Sequence, residues 1–537
     1  MTTAIHRASR ALLFTAFTLA LAHCGSPTPG DTTTMDAADI TVAPDVADVP
    51  VMTDTRPGDG SVGTLAWGRC AGVDLFYECA TLSVPMNYDN PTGPRIQLRV
   101  MRFVARVPAG QRRGTLMVNR GGPGLESRLW LLDNSGLRGY FGSAAAAYDI
   151  LVWDVRGSSE SIPAIDCTTT AYDALRNADL TPDDPAEEMT LRQAFADIRA
   201  ACLRDVPREL LENVGVESTV RDMEQIRIGL GEARIHYYGV GSGSYLGAAY
   251  ASMYPQHVGA FMLDSNVDPT ADRVRLGRER ATATLDAVMQ FFTWCAAQTE
   301  VRCPYRRGAT TGAEIAARFL ALWQRVEMTP VPVAARVLTG SDLAIGAFES
   351  AGSVDWVELG PALAMLDQTT PDGTRLLGMA DSTWGGRTPG SVSVAFARYA
   401  AIMAHDFPFA EGFTEMQYLD GFRMLVRPEL PPFPTMQTFD RLGLDWPIRP
   451  RRPRPTISAA MAPPILLLAA RYDPTTPVAW TAAMARALGN TTYTLTYQGV
   501  GHGALAAGPT CVRDQVSAYL MDQTRPPPMT SCAAELP

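Results

Sequence analysis

The apolar residues of this chain fall into two rhythms. Short runs at 114–118, 148–154, 234–240, 261–264 and 464–469 have the length and composition of strands buried on both faces, and 493–497 alternates as a half-buried strand does. A helical period takes over at 244–254, 281–298, 312–326 and 391–404. Strands thus stand on both sides of a long helical stretch, which predicts an α/β sheet interrupted by an inserted helical layer. The beginning of the chain differs from the rest. Residues 11–22 form an apolar segment behind a short basic start, His6, Arg7 and Arg10, while 25–63 are rich in Pro, Thr, Asp and Ala. That second composition buries no core and predicts a flexible acidic tether.

Chemistry gathers where the predicted strands end. The stretch His236-Tyr-Tyr-Gly-Val-Gly-Ser-Gly-Ser-Tyr-Leu-Gly247 joins a strand to a small-residue helix through Gly239, Gly241 and Gly243. Taken alone it is an ordinary glycine-rich turn, since glycine serves wherever φ is positive. Asp473 follows the run at 464–469, within Ala470-Arg-Tyr-Asp-Pro-Thr-Thr-Pro477, and His502 follows 493–497, within Gln498-Gly-Val-Gly-His-Gly503. Each has a plain reading, a turn-starting Asp-Pro and a loop histidine. Together they lie behind the glycine turn in the order nucleophile, acid, base that α/β-hydrolases use. Upstream, Asn119-Arg-Gly-Gly-Pro-Gly124 follows the run at 114–118. An oxyanion loop belongs there, with one backbone N–H from Gly121 or Gly122 and the other from Ser242.

With these pieces, Glu78-Cys-Ala-Thr-Leu-Ser-Val-Pro-Met-Asn-Tyr-Asp-Asn-Pro91 and Asp154-Val-Arg-Gly157, the chain resembles the tripeptidyl aminopeptidases and related proline-iminopeptidase-like members of the α/β-hydrolase superfamily along most of its length. The resemblance implies an α/β-hydrolase fold, a mostly parallel central sheet flanked by helices, with core residues 64–270 and 456–537 and a helical cap over 271–455. It also implies acyl-enzyme chemistry on peptide or related amide and ester bonds near a free N terminus, with His502 as base oriented by Asp473. Family members show Gly-x-Ser-Tyr-Gly-Thr-Tyr-Leu-Gly at the turn. A gapless match sets Gly241 on the serine and Ser242 on the tyrosine, and Arg120 stands where proline or histidine is usual.

Glycine offers no atom to acylate. Three outcomes stay open: a silent pocket that binds peptides or another ligand, a hydrolase rerouted through Ser242 or Ser244, or weak hydrolysis by a water that His502 activates. In the family, acidic groups near the cap hold the substrate amine. Glu126, Glu160 and Glu349 are candidates, and no motif singles one out.

Composition narrows the chemistry. All 46 basic residues are Arg, which excludes a Ser-Lys dyad or a Schiff base, and arginine serves as no base. No His or Cys pair has metal-ligand spacing, and Gly239-x-Gly-x-Gly243 lacks the spacing of a dinucleotide fingerprint, so no metal or cofactor is expected. A net charge of −10 argues against a nucleic-acid partner. Residues 1–24 read as a secretory signal whose end, Leu21-Ala-His-Cys24, resembles a bacterial lipobox. Cys24 is then the lipidation site, and an exported protein is expected, touching a bacterial membrane only through a lipid anchor or otherwise secreted. The remaining cysteines form an even set suited to disulfides in an oxidising compartment. Neighbour pairing suggests Cys70 with Cys79, Cys167 with Cys202, Cys295 with Cys303 and Cys511 with Cys532, the last resembling the family's C-terminal closure. The connectivity stays open at this level.

Overall fold

The computed structural model describes residues 65–537 apart from 74–75, 134–138, 159, 183, 384–394, 419–429, 432–439, 490–491 and 528–529. The signal, Cys24 and the tether therefore lie outside the described residues. The strands are β1 (Gly68–Arg69), β2 (Tyr77–Pro85), β3 (Arg95–Phe103), β4 (Thr115–Asn119), β5 (Asp149–Trp153), β6 (Ile235–Val240), β7 (Val258–Asp264), β8 (Val331–Val333), β9 (Arg336–Leu338), β10 (Ile465–Tyr472), β11 (Thr492–Val500) and β12 (Thr530–Cys532). One ten-stranded sheet runs β1-β2-β3-β5-β4-β6-β7-β10-β11-β12, and β8 and β9 pair by themselves. From β5 to β12 every pairing in the large sheet is parallel.

Helices cover both faces of the parallel part, which explains why its strands are continuous apolar runs. Alternate residues serve opposite layers: Leu116, Val118, Tyr238, Met262 and Leu466 pack on one side, and Met117, Tyr237, Phe261, Leu263 and Leu467 on the other. Register then decides where the chemistry emerges. Val240 is level with Asp264, and Asp264 with Leu468, so β6, β7 and β10 deliver their following loops to the carboxyl edge of the sheet, where ligands bind in open α/β sheets.

Between β7 and β10 lie helices Arg273–Ala297, Gly312–Met328, Gly340–Gly352, Trp356–Leu366, Thr374–Thr383 and Ala395–Asp406, with the β8-β9 hairpin among them. The first helix begins well before its expected start at 281, because Asp272 caps it by accepting the Arg275 N–H at 2.8 Å. Phe291, Phe292, Trp294, Phe319, Phe348 and Trp356 give this layer a core of its own. It also grips the sheet edge. Thr284 donates to the Pro474 carbonyl at 2.7 Å and Arg280 Nε to the Thr475 carbonyl at 3.1 Å. Helix Ala395–Asp406 lies against the glycine loop, where a Cβ on Gly124 would stand 3.0 Å from that of Arg398.

Disulfides join Cys70 to Cys79, Cys167 to Cys202, Cys295 to Cys303 and Cys511 to Cys532. Among the described residues, no helix is long and apolar enough to cross a membrane.

Candidate active site

Gly241 stands between β6 and helix Ser242–Met253 with φ 58° and ψ −118°, a combination that residues with a side chain avoid. The neighbouring glycines are required by close approach. A Cβ on Gly239 would lie 2.3 Å from the Gly243 carbonyl, and one on Gly243 would lie 2.6 Å from the Asn119 carbonyl. The turn is thus pressed against β4 as tightly as backbone allows. The Gly241 N–H donates to the Asp264 carbonyl at 3.0 Å. A Cβ on Gly241 would point at His502, 3.0 Å from Nε2 and 3.3 Å from Cε1.

His502 leaves β11 on Gly501 and Gly503, both of positive φ. Its Nδ1 lies 3.0 and 3.1 Å from the two Asp473 oxygens. An ionised carboxylate only accepts, so Nδ1 carries the proton and Nε2 of the neutral ring is the basic nitrogen facing Gly241. Asp473 is itself held: its Oδ1 accepts the Thr475 and Thr476 N–H groups at 2.8 and 2.9 Å, and its Oδ2 accepts the Thr476 hydroxyl at 2.8 Å.

The base loop hangs from β7. Asp264 accepts the Ala504 and Leu505 N–H groups at 2.8 and 3.0 Å and the Tyr238 hydroxyl at 2.8 Å, while Ser265 Oγ accepts the Gly503 N–H at 2.8 Å.

Burial opposes a charge on both members of the pair, and their mutual attraction overrides it. For His502, desolvation is outweighed by the charge and hydrogen bond of Asp473, with Asp264 helping and Arg280 opposing, so the imidazole titrates above 6.5. For Asp473, desolvation is outweighed by the His502 charge and the hydrogen bonds it accepts, which hold the carboxyl below 3.8. The signs fix a window. The raised imidazole stabilises the fold fully below its unfolded value and loses that contribution as pH rises through the folded one. The depressed carboxyl contributes above its unfolded value and loses the contribution as pH falls through the folded one. In Asp473→Asn, the His502 Cε1–H resonance is expected to titrate at lower pH than in the native protein. An unchanged titration would mean that the carboxylate does not set the base.

The two serines beside Gly241 are engaged differently. Ser244 is fully buried, and its Oγ donates to the Gly241 carbonyl at 2.6 Å and accepts the Val267 N–H at 3.1 Å. Ser242 turns its Oγ toward Gly121, 3.2 Å from where a Cβ there would stand. Among the described residues, His502 hydrogen-bonds to Asp473 and approaches Thr476 Oγ1 at 3.4 Å, and neither serine hydroxyl is a partner. Ser242 opens its helix, so its N–H has no intrahelical acceptor. The Gly121 N–H, in contrast, donates to Asn119 Oδ1 at 2.9 Å.

Of the three acidic candidates, Glu126 lies 3.9 Å from Arg398, and Glu160 pairs with Arg128 and lies 3.8 Å from Arg99. Glu349 lies within reach of the His502 charge. Burial raises its carboxyl to about 7 against the pull of the imidazole charge, and its helix ends on the acid loop, where a Cβ on Gly352 would stand 2.9 Å from Pro474.

Thr476, Asp264, Ser265, Asn119 and Arg280 support this site and were not singled out by sequence. Only Thr476 left a local signal, in an Asp-Pro-Thr-Thr run that favours an Asx-type turn.

A basic imidazole on a carboxylate at the carboxyl edge of a parallel sheet, beside a sharp strand-to-helix turn whose backbone a side chain would strain, defines the α/β-hydrolase class of site. Residues 115–293 match the alpha/beta hydrolase fold and residues 437–532 match TAP-like protein. The chain is 30% identical over 469 residues to carboxylesterase B of Mycobacterium tuberculosis, covering 85% of this chain and 86% of that one. It is 27% identical over 469 residues to the serine protease Hip1 of the same organism, covering 84% and 87%. To the tripeptidyl aminopeptidase of Streptomyces lividans it is 25% identical over 481 residues, covering 85% and 84%. The chain belongs to the TAP-like family of the α/β-hydrolase superfamily.

Proposed function

We propose that this protein binds peptides, or related amides and esters, through the family's cleft, and that Gly241 occupies the position from which the family's serine attacks. Acyl-enzyme hydrolysis is then absent or feeble. The observation that carries this reading is the direction of the missing side chain, toward His502 Nε2 at 3.0 Å. In the same reading Asp473 and His502 are the acid and base, Ser242 and Gly122 supply the oxyanion donors, and Glu349 holds the ligand amine. The engaged Oγ of Ser244, and the Oγ of Ser242 turned toward Gly121 and away from any bond to His502, weigh against either as a substitute nucleophile. Residues 1–24 direct export, with Cys24 as the lipid anchor, and the four disulfides suit the oxidising compartment this implies.

A second reading is a slow hydrolase in which His502 deprotonates water directly, and the retained Asp473–His502 pair favours it. Triad enzymes stripped of one member keep about 10³ to 10⁴-fold catalysis over water. A fluorophosphonate probe separates these readings from a rerouted serine. The native protein is expected to resist labelling, and a modified peptide containing Ser242 or Ser244 would overturn the proposal. Residual peptide or ester hydrolysis that His502→Ala abolishes would favour the water route.

A further inference from the structure

Asp473 opens a turn whose closure needs only its first oxygen. Oδ1 takes the N–H groups of Thr475 and Thr476 at 2.8 and 2.9 Å, the bonds by which an aspartate closes a turn on its own backbone. Any residue other than proline at those two positions supplies them. Oδ2 is served differently. It accepts the Thr476 hydroxyl at 2.8 Å, and because an ionised carboxylate only accepts, the hydroxyl is the donor. His502 Nδ1 stands 3.0 and 3.1 Å from the two oxygens, and Thr476 Oγ1 lies 3.4 Å from the same nitrogen. Thr476 is 3% exposed, which keeps its bond in a medium of low dielectric. One side chain thus lies against acid and base together, joined to the first by a short bond and to the second only by a long contact.

We propose that Thr476 is a positioning residue that moderates the base: its hydroxyl steadies the Asp473 carboxylate and draws off part of its charge, leaving His502 less basic than the bare pair would be. The proposal rests on the reading of Asp473 and His502 as acid and base. Such a base works only in its neutral form, and a carboxylate that pulled harder on the imidazolium would leave it protonated and idle near neutral pH. Two effects of removing the hydroxyl oppose each other. A loosened carboxylate lets the imidazole titrate lower, whereas a carboxylate with one donor fewer pulls harder and makes it titrate higher. The second wins, because both N–H bonds to Oδ1 survive the loss and keep the carboxylate in place, and the 3.4 Å contact to Nδ1 contributes little.

The test is an NMR titration of the His502 Cε1–H resonance in the full folded protein, assigned among six histidines with His502→Ala. Thr476→Val keeps the shape and the backbone N–H but lacks the donor, and it is expected to raise the midpoint by about half a pH unit, a fraction of the worth of one hydrogen bond to a charged group. Thr476→Ser restores the donor and is expected to return the midpoint to the native one. Burial and Arg280 lower this imidazole, Asp473 and Asp264 raise it, and Glu349 feels its charge. All of these groups are present in every variant, so the difference reports the hydroxyl. If the valine variant does not fold, Thr476→Ala, which also lacks the hydroxyl, carries the measurement. A midpoint that stays put or falls without the hydroxyl, or a serine variant that shifts as far as the valine one, would overturn the proposal. The imidazole is read without substrate, so failure to bind or cleave peptides would count against the functional reading and leave this outcome independent.

Discussion

Gly241→Ser is expected to create a peptidase. Hydrolysis of tripeptidyl chromogenic anilides should rise by about 10⁶-fold over the native protein, the amount lost when a triad serine is removed elsewhere. The same variant should label with fluorophosphonate. The geometry also predicts a cost. A serine at φ 58° and ψ −118° carries about 1–3 kcal/mol of backbone strain that glycine does not. Its Cβ, 3.0 Å from His502 Nε2, requires the imidazole to withdraw by a few tenths of an ångström. Denaturant unfolding should therefore show lower stability as activity appears, and adding His502→Ala should remove the activity. A folded variant that neither hydrolyses nor labels would show that Gly241 is not the point of attack.

Asp222→Ala is expected to cost about 3–5 kcal/mol of stability, because it leaves a buried guanidinium without its counter-charge. Arg156 and Asp222 are both fully buried and joined by two bonds of 2.6 and 2.7 Å, and the Tyr88 hydroxyl adds a third to the carboxylate at 2.8 Å. The guanidinium also donates to the carbonyls of Pro85, Met86 and Asn213. It thereby ties the end of β2 to the segment after β5 and to helix Val216–Leu230, which Asp222 belongs to. Asp222→Asn keeps an acceptor and should lose less. Urea unfolding measures both, and a loss below about 1 kcal/mol for Asp222→Ala would mean that water or rearrangement satisfies Arg156.

Sequence reveals the groups that follow strands better than the groups that hold them. Gly241, Asp473 and His502 are marked by apolar runs and turn residues within a few positions, so local pattern finds them. Asp264 ends a strand as visibly, yet its work is to bind N–H groups at 504 and 505, more than two hundred residues away, and no local pattern encodes that. Asn119 is hidden for a related reason: it reads as the first residue of a glycine loop, but its side chain takes the Gly121 N–H and so engages that loop's backbone. The antiparallel strands β1 to β3 escape the search for apolar runs because residues of β3 alternate between core positions and half-buried polar ones, Arg95, Gln97, Arg99 and Arg102. The start of helix Arg273–Ala297 escapes for want of apolar spacing in its first turns, which are rich in arginine, and tertiary contacts supply what periodicity lacks.

The grip of Arg280 and Thr284 on the carbonyls of Thr475 and Pro474 makes one helix the anchor of the loop that carries Asp473. The Asp473 carboxylate raises the proton affinity of His502, so the helix that anchors the Asp473 loop also helps to set the basicity of the site.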